Sequence, residues 1–236
     1  MTLSIIIPVF NEEKTIGEVI KEVEAVKLPI KKEIIVVNDG SFDKTKEVLE
    51  KIKEEYNFLL IEHSKNQGKG MAIKTALTKV TGDFIIIQDA DLELNPQEYP
   101  LLLKPLLNRK AEIVYGSRIL GSKTYHNKDK KWKNWPFLLG GKFLTFLANF
   151  LYGLNITDQS IGYKAFRSEI LKNMELESKG FEFCAEVTAK IGKKGLKIYE
   201  VPVSYNPRTK EQGKKVKWLD GIKAALTMIK YKFKRS

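Results

Sequence analysis

An α/β fold built on a mostly parallel sheet follows from three features of the 236-residue sequence. Short, continuous apolar runs alternate with longer amphipathic segments through the first 117 residues. The runs lack the in–out alternation of half-exposed strands, so they read as strands buried on both faces. The segments that follow these strands collect acids, amides and glycines, as does the carboxyl edge of a parallel sheet, where ligands bind.

The elements can be taken in order. "LSIIIPVF" is a buried strand, and "EEKTIGEVIKEVEAV" carries a helical stripe at Ile16, Val19, Ile20 and Val23. "EIIVVN" is a second strand and "KTKEVLEKIKEEY" a charged helix. "FLLIEH", "DFIIIQD" and "AEIVYGS" are further strands. They are separated by helices in "GMAIKTALTKV" and "YPLLLKPLLNR", the latter interrupted by prolines. Strands joined by helices of this length imply right-handed crossovers. Asn11 and Asp43 are placed as helix N-caps.

After Arg118 the pattern changes. Residues 118–135 form a polar, lysine-rich segment of a length that suits a mobile lid. Residues 136–154, "PFLLGGKFLTFLANFLYGL", are apolar with one charge, Lys142, and are expected to form a helix. Either a membrane surface or the body of the fold could take it, and its length is near the lower limit for a span. "FEFCAEVTAKIGKKG" is a helix and "LKIYEVPVSY" a strand. The end carries Val216, Leu219, Ile222, Leu226, Ile229 and Phe233 on one stripe with lysines opposite, a basic amphipathic helix. One α/β domain over 1–213 and a basic amphipathic helix over 214–236 are therefore expected.

Net charge is +12, and residues 201–236 hold ten Lys/Arg against two Asp/Glu, so the positive charge concentrates beside the terminal apolar stripe. This placement, with no recognisable nucleic-acid module, argues against a nucleic-acid binder and favours anionic membrane or phosphorylated ligands. One cysteine, Cys184, rules out an internal disulfide and suits a reducing compartment. "MTLSIIIPVF" lacks the basic segment and apolar core of a signal peptide.

The stretch "FIIIQDADLEL" sets Asp89 and Asp91 two residues apart, on one side of an extended chain. Like charges this close need a positive partner, and hard oxygen donors suit Mg²⁺ or Mn²⁺. Glu93 falls on the same side as a third ligand or a bystander.

Several motifs together resemble family 2 glycosyltransferases of the GT-A fold: "PVFNEE" (8–13), "VNDGSFDKT" (37–45), "NQGKGMA" (66–72) and "DADLE" (89–93). "YGSR" (115–118), "DQSIGYKAFR" (158–167), "GFEFCAEVTAK" (180–190) and "IYEVPVSYNPRTKEQGKK" (198–215) narrow this to the polyprenyl-phosphate sugar transferases, the dolichyl-phosphate mannosyltransferase group. Asn38 departs from the usual acid, Glu93 stands where relatives often carry Gln, and no clear membrane-spanning helix follows.

The resemblance implies roles. Pro8, Phe10, Glu12, Val37 and Asp39 are expected to contact the nucleotide, with Lys69 and Ala90 in the same site. Asp89 and Asp91 are expected to hold Mg²⁺ or Mn²⁺. Arg118, Arg208 and Lys214 are candidate phosphate contacts, and one of Lys130, Lys131 and Lys133 is expected to reach the acceptor phosphate. The implied reaction moves mannose or glucose, with inversion, from GDP-mannose or a UDP-glucose-class donor to a polyprenyl phosphate. That acceptor is already anionic, so neither His63 nor His126 is needed as a base. The implied location is peripheral, at the cytoplasmic face of a membrane, with room for a membrane partner subunit. The alternative is a glycan or protein acceptor, with Asp158 or Glu186 as general base.

Overall fold

The computed structural model describes residues 1–124, 135–208, 213 and 215–234, without the side chains of 123 and 135–138. Among them, seven strands form one sheet in the order β3-β2-β1-β4-β6-β5-β7. Here β1 is Thr2–Val9, β2 Lys31–Asn38, β3 Leu59–Glu62, β4 Phe84–Ile87, β5 Ile113–Ser117, β6 Lys164–Arg167 and β7 Tyr199–Pro202. All neighbours run parallel except β6, which is antiparallel to both β4 and β5.

The strands form where the apolar runs predicted them. Ile5, Ile6 and Ile7 of β1 and Phe84–Ile87 of β4 are all buried. Each such side chain contributes about 1.5–3 kcal/mol relative to an exposed one. Helices α1 (Ile16–Ala25), α2 (Thr45–Lys53), α3 (Lys69–Leu77) and α4 (Tyr99–Leu107) supply the crossovers. Prolines do not interrupt α4: Pro100 lies in its first turn, where no amide donor is needed. Pro105 leaves the Leu101 carbonyl without its usual donor, and Leu101 is on the solvent side.

Expectation and structure part in three further places. The polar segment begins as a helix, α5 (Arg118–Thr124), and its remainder, 125–134, lies outside the described residues, as do Lys130, Lys131, Lys133 and Lys214. Strand β6 was not anticipated. Asn11 caps no helix: at φ 48°, its Oδ1 accepts from the Phe42 amide at 3.0 Å, tying the end of β1 to the loop after β2. Asp43 does act at a helix start, accepting from the Thr45 amide at 3.0 Å.

Helices α6 (Trp135–Tyr152), α7 (Ser168–Lys172), α8 (Phe183–Lys193) and α9 (Trp218–Phe233) complete the chain. A second, small core joins α6, α8 and α9 through Leu144, Ala148, Ala185, Ala224 and Met228. The docking face of α9 is thus not its large apolar stripe. Leu219, Ile222, Leu226, Ile229 and Phe233 point outward, and the smaller Ala224, with Met228 and Tyr231, points in. On α6, Leu139, Phe143, Phe146 and Phe150 are likewise exposed. No described helix is long and apolar enough to cross a membrane.

Candidate active site

The carboxyl ends of β1, β2 and β4 open on a cavity of about 1630 Å³. Its wall includes Pro8, Phe10 and Glu12 after β1, Asp39 after β2, Lys69 on α3, and Asp89, Ala90, Asp91 and Glu93 after β4. Arg118 and Arg208 reach the same cavity from later in the chain. Eleven of the thirteen expected site residues therefore converge; the other two are Lys214, outside the described residues, and Val37. Val37 is a fully buried core residue of β2, with its side chain away from this wall.

Asp39 is a structural hub of the wall. Its Oδ1 accepts from the Gln67 amide at 3.0 Å and lies 2.6 Å from His63 Nδ1; its Oδ2 accepts from the Gly68 amide at 2.7 Å. His63 Nε2 in turn sits 2.9 Å from Thr75 Oγ1. One carboxylate thereby fixes the loop that opens α3. Gly68, at φ 97°, permits the turn that aims its amide at Asp39.

At the end of β4, Gln88 is fully buried. Its Oε1 accepts from the Tyr99 and Tyr163 hydroxyls at 2.9 and 2.8 Å, and its Nε2 donates to the Asp89 carbonyl at 2.9 Å. This brace sets the following aspartates. Asp89 packs directly on Gly162, where a Cβ would come within 2.1 Å of Oδ2, and its carboxylate pairs with Lys69. Burial lowers the Lys69 pKa, but Asp89 outweighs it and the net shift is upward.

Asp91 accepts from Arg208 Nη2 at 2.8 Å. Burial, then the charges of Asp89 and Glu93, push its pKa up to about 7 in spite of Arg208. The site holds more negative charge around Asp91 than its own cations relieve, and Asp89 and Asp91 offer hard oxygen donors. That combination fits a divalent cation drawing its remaining ligands from phosphate and water. Glu93, expected as a third ligand or a bystander, is committed to other partners here. No group of three or more His, Cys, Asp or Glu is arranged to hold a metal among the described residues. Glu93 instead accepts from the Tyr205 hydroxyl at 2.9 Å and the Arg208 amide at 2.8 Å, holding the strap that follows β7.

Arg208 reaches across the cavity. Its Nη1 and Nη2 donate to the two oxygens of Glu12 at 2.9 and 3.1 Å. Lys215, which sequence reasoning passed over for its neighbour, donates to Glu12 Oε1 at 2.5 Å and to the Asn11 carbonyl at 3.0 Å.

Arg118 is engaged rather than free. Its Nε and Nη2 donate to the two oxygens of Asp158 at 2.7 Å each, and its guanidinium lies 4.9 Å from the centre of the Tyr205 ring. Asp158 is thereby unsuited to act as a base. Glu186 is unsuited as well: fully buried, it accepts from the Glu177 and Ser178 amides and the Tyr231 hydroxyl.

The far end of the cavity runs between α6 and α9, past Leu144, Val216, Trp218 and Ala224. The residues missed from sequence had little signal. Gln88, Gly162, Tyr205 and Lys215 lie within or beside recognisable motifs without being singled out, and His63 lies in none; their roles come from contacts made across the fold.

An open, mostly parallel sheet with one antiparallel strand, and acids gathered at its carboxyl edge, defines a GT-A nucleotide-sugar fold. The signature of glycosyl transferase family 2 matches residues 4–174, and the chain belongs to that family. It is 32% identical over 212 residues to a low-salt glycan biosynthesis hexosyltransferase of Haloferax volcanii, covering 89% of this chain and 49% of that protein. It is 29% identical over 218 residues to dolichol-phosphate mannosyltransferase of Pyrococcus furiosus, covering 91% and 59% respectively. The chain thus spans only about half to three-fifths of these relatives' lengths. In fold it matches glucosyl-3-phosphoglycerate synthase from Mycobacterium tuberculosis, solved with Mn²⁺ and UDP. The TM-score is 0.73 at 19% identity, over 100% of this chain and 80% of the other.

Proposed function

We propose that this chain transfers a hexose from a nucleoside-diphosphate sugar to the phosphate of a polyprenyl lipid at a membrane surface. One observation carries the reading: a single cavity runs from the acids at the strand ends to the gap between two helices with apolar outer faces. A donor with a charged diphosphate suits the first end, and an acceptor joining a phosphate to a long apolar chain suits the second. A dolichol-phosphate mannosyltransferase among the relatives supports the same pairing.

In this reading Phe10 and the Asp39-braced loop receive the nucleotide. Lys69, Arg208 and Lys215 turn to its diphosphate, with Lys214 as a further candidate contact. Asp89 and Asp91 would hold Mg²⁺ or Mn²⁺, whose positive charge favours departure of the nucleoside diphosphate. An acceptor phosphate oxygen forms the new bond to the anomeric carbon on the face opposite the diphosphate. The bond from that carbon to the diphosphate breaks and its electron pair leaves with the nucleotide, so the centre inverts. An ionised phosphate gives up no proton, which agrees with Asp158 and Glu186 being fully engaged. The rate then rests on positioning and electrostatics.

The exposed rows on α6 and α9 support a peripheral position at a membrane, which we assign to the cytoplasmic face; a membrane partner subunit would meet the same rows. The test is transfer of radiolabelled hexose from GDP-mannose or UDP-glucose. Polyprenyl phosphate should be the acceptor and free oligosaccharides should not; a product only with oligosaccharides would overturn the assignment.

A further inference from the structure

We infer that Arg208 is the resident counter-ion of the acidic centre, and that a divalent cation must displace it from Asp91 in order to bind. The inference rests on the nucleotide-sugar reading above. Its evidence is an arrangement with no slack. Arg208 Nη2 donates both to Asp91 at 2.8 Å and to Glu12 at 3.1 Å. Among the described residues its Nε is buried without a hydrogen-bond partner, 3.8 Å from Glu93 Oε1. A guanidinium shared among Glu12, Asp91 and Glu93 supplies positive charge that these acids would otherwise lack. The strap fixes it there: Glu93 accepts from the Arg208 amide, and its other oxygen accepts from the Tyr205 hydroxyl.

Charge balance gives this contact a consequence. Among the described residues, Glu12, Asp89, Asp91 and Glu93 face Lys69, Arg208 and Lys215, so the centre is one positive charge short of neutral. A dication alone would overcharge it and would strand Arg208. A dication arriving with a nucleoside diphosphate does neither, because the diphosphate gives the displaced guanidinium a new partner. Metal and nucleotide therefore bind together, each strengthening the other by the same factor. Glu93, in this arrangement, is a positioning residue that delivers Arg208 to the diphosphate.

The test reads metal binding directly, by Mn²⁺ paramagnetic resonance, with Mn²⁺ alone and with Mn²⁺ plus GDP or UDP. In the wild-type chain the nucleotide should tighten Mn²⁺ about tenfold or more. In Arg208→Met, Mn²⁺ alone should bind about tenfold tighter than to the wild type, and the nucleotide's effect should shrink to about twofold. Loss of an arginine that merely held the fold would weaken both. Tyr205→Phe keeps the guanidinium and loosens the strap, and should tighten Mn²⁺ alone by about threefold. If Mn²⁺ alone binds no tighter to Arg208→Met with an unchanged melting temperature, the inference is wrong. If that variant does not fold, the absence of tightening in Tyr205→Phe overturns it equally. A wild-type chain that binds neither nucleotide would sink the functional reading, while the metal-alone comparison would still decide this one.

Discussion

The two ends of the cavity solve opposite problems. Around the strand ends, charged groups are buried and nearly every one has a partner: Asp39 with two amides and His63, Asp158 with Arg118, Glu12 with Arg208 and Lys215. On α6 and α9, large apolar groups are exposed, with Phe150 75%, Trp218 70% and Phe233 77% accessible. Both invert the usual arrangement: the buried charges are held by protein partners, whereas the exposed apolar groups are left for another surface to cover. Buried charge at the cavity, with exposed apolar rows on the two helices that border its far end, agrees with the proposed acceptor, charged at one end and apolar at the other.

The largest expected effect breaks the polar end. Asp91→Asn removes a hard ligand and a charge, and should lower transfer by at least about a thousandfold. The melting temperature should hold or rise, because burial and like-charged neighbours already disfavour the carboxylate. Steady-state transfer and thermal unfolding of the same variant check this; near wild-type turnover would remove Asp91 from the site. Next is Gly162→Ala, whose Cβ would lie 2.1 Å from Asp89 Oδ2. Displacing that carboxylate should cost about a hundredfold in kcat, and overpacking about 1–3 kcal/mol of stability. Activity retained at that position would mean Asp89 can move without consequence.

Much of the polar end was legible in the sequence because strand, turn and acid are contiguous there: "FIIIQDADLEL" spells out β4 and its carboxylates in order. What could not be read was partnership. Arg208 and Glu12 are 196 positions apart, and only the fold shows that the arginine already occupies the acids. Strand β6 escaped for a local reason. It is four residues long and begins at Lys164, a fully buried lysine whose ammonium is satisfied by the Gln159 and Ile161 carbonyls. A charge at that position argues against a central strand unless those carbonyls are known. The α9 stripe was read correctly as apolar. Which face docks was decided by the small Ala224 and the adaptable Met228, which join the core shared with α6 and α8, and by Tyr231, whose hydroxyl donates to Glu186 of α8, leaving the large apolar stripe outside.

That distinction sharpens the test of the apolar end. Deleting residues 216–236 would remove the docking face together with the exposed one, so its outcome would mix unfolding with lost attachment. Phe143→Ser, Phe150→Ser and Leu226→Ser change only exposed positions. Combined, they should weaken binding to anionic vesicles by at least about tenfold, since each removes apolar area that a bilayer would bury. Each should shift stability by no more than about 0.5 kcal/mol. Vesicle sedimentation alongside thermal unfolding separates the two effects. Unchanged sedimentation would show that the exposed rows serve some contact other than a bilayer.

The smallest effect concerns how α9 is held. Glu177 pairs with Lys234 and Lys230 of the C-terminal helix region, and those hydrogen bonds lower its pKa from 4.5 to about 2. A carboxyl depressed on folding adds stability above its unfolded pKa and loses it as pH falls toward the folded one. The contribution is therefore full above about 4.5 and gone near 2. Glu177→Gln lacks it at every pH. Melting temperatures of the two proteins should differ slightly at neutral pH, and the gap should close as pH falls through that window. The gap should also shrink with added salt, because the carboxylate and both lysines are exposed. A gap that survives at pH 2 would mean that Glu177 anchors α9 through its shape and not its charge, leaving the buried Tyr231–Glu186 bond as the polar tie between α9 and α8.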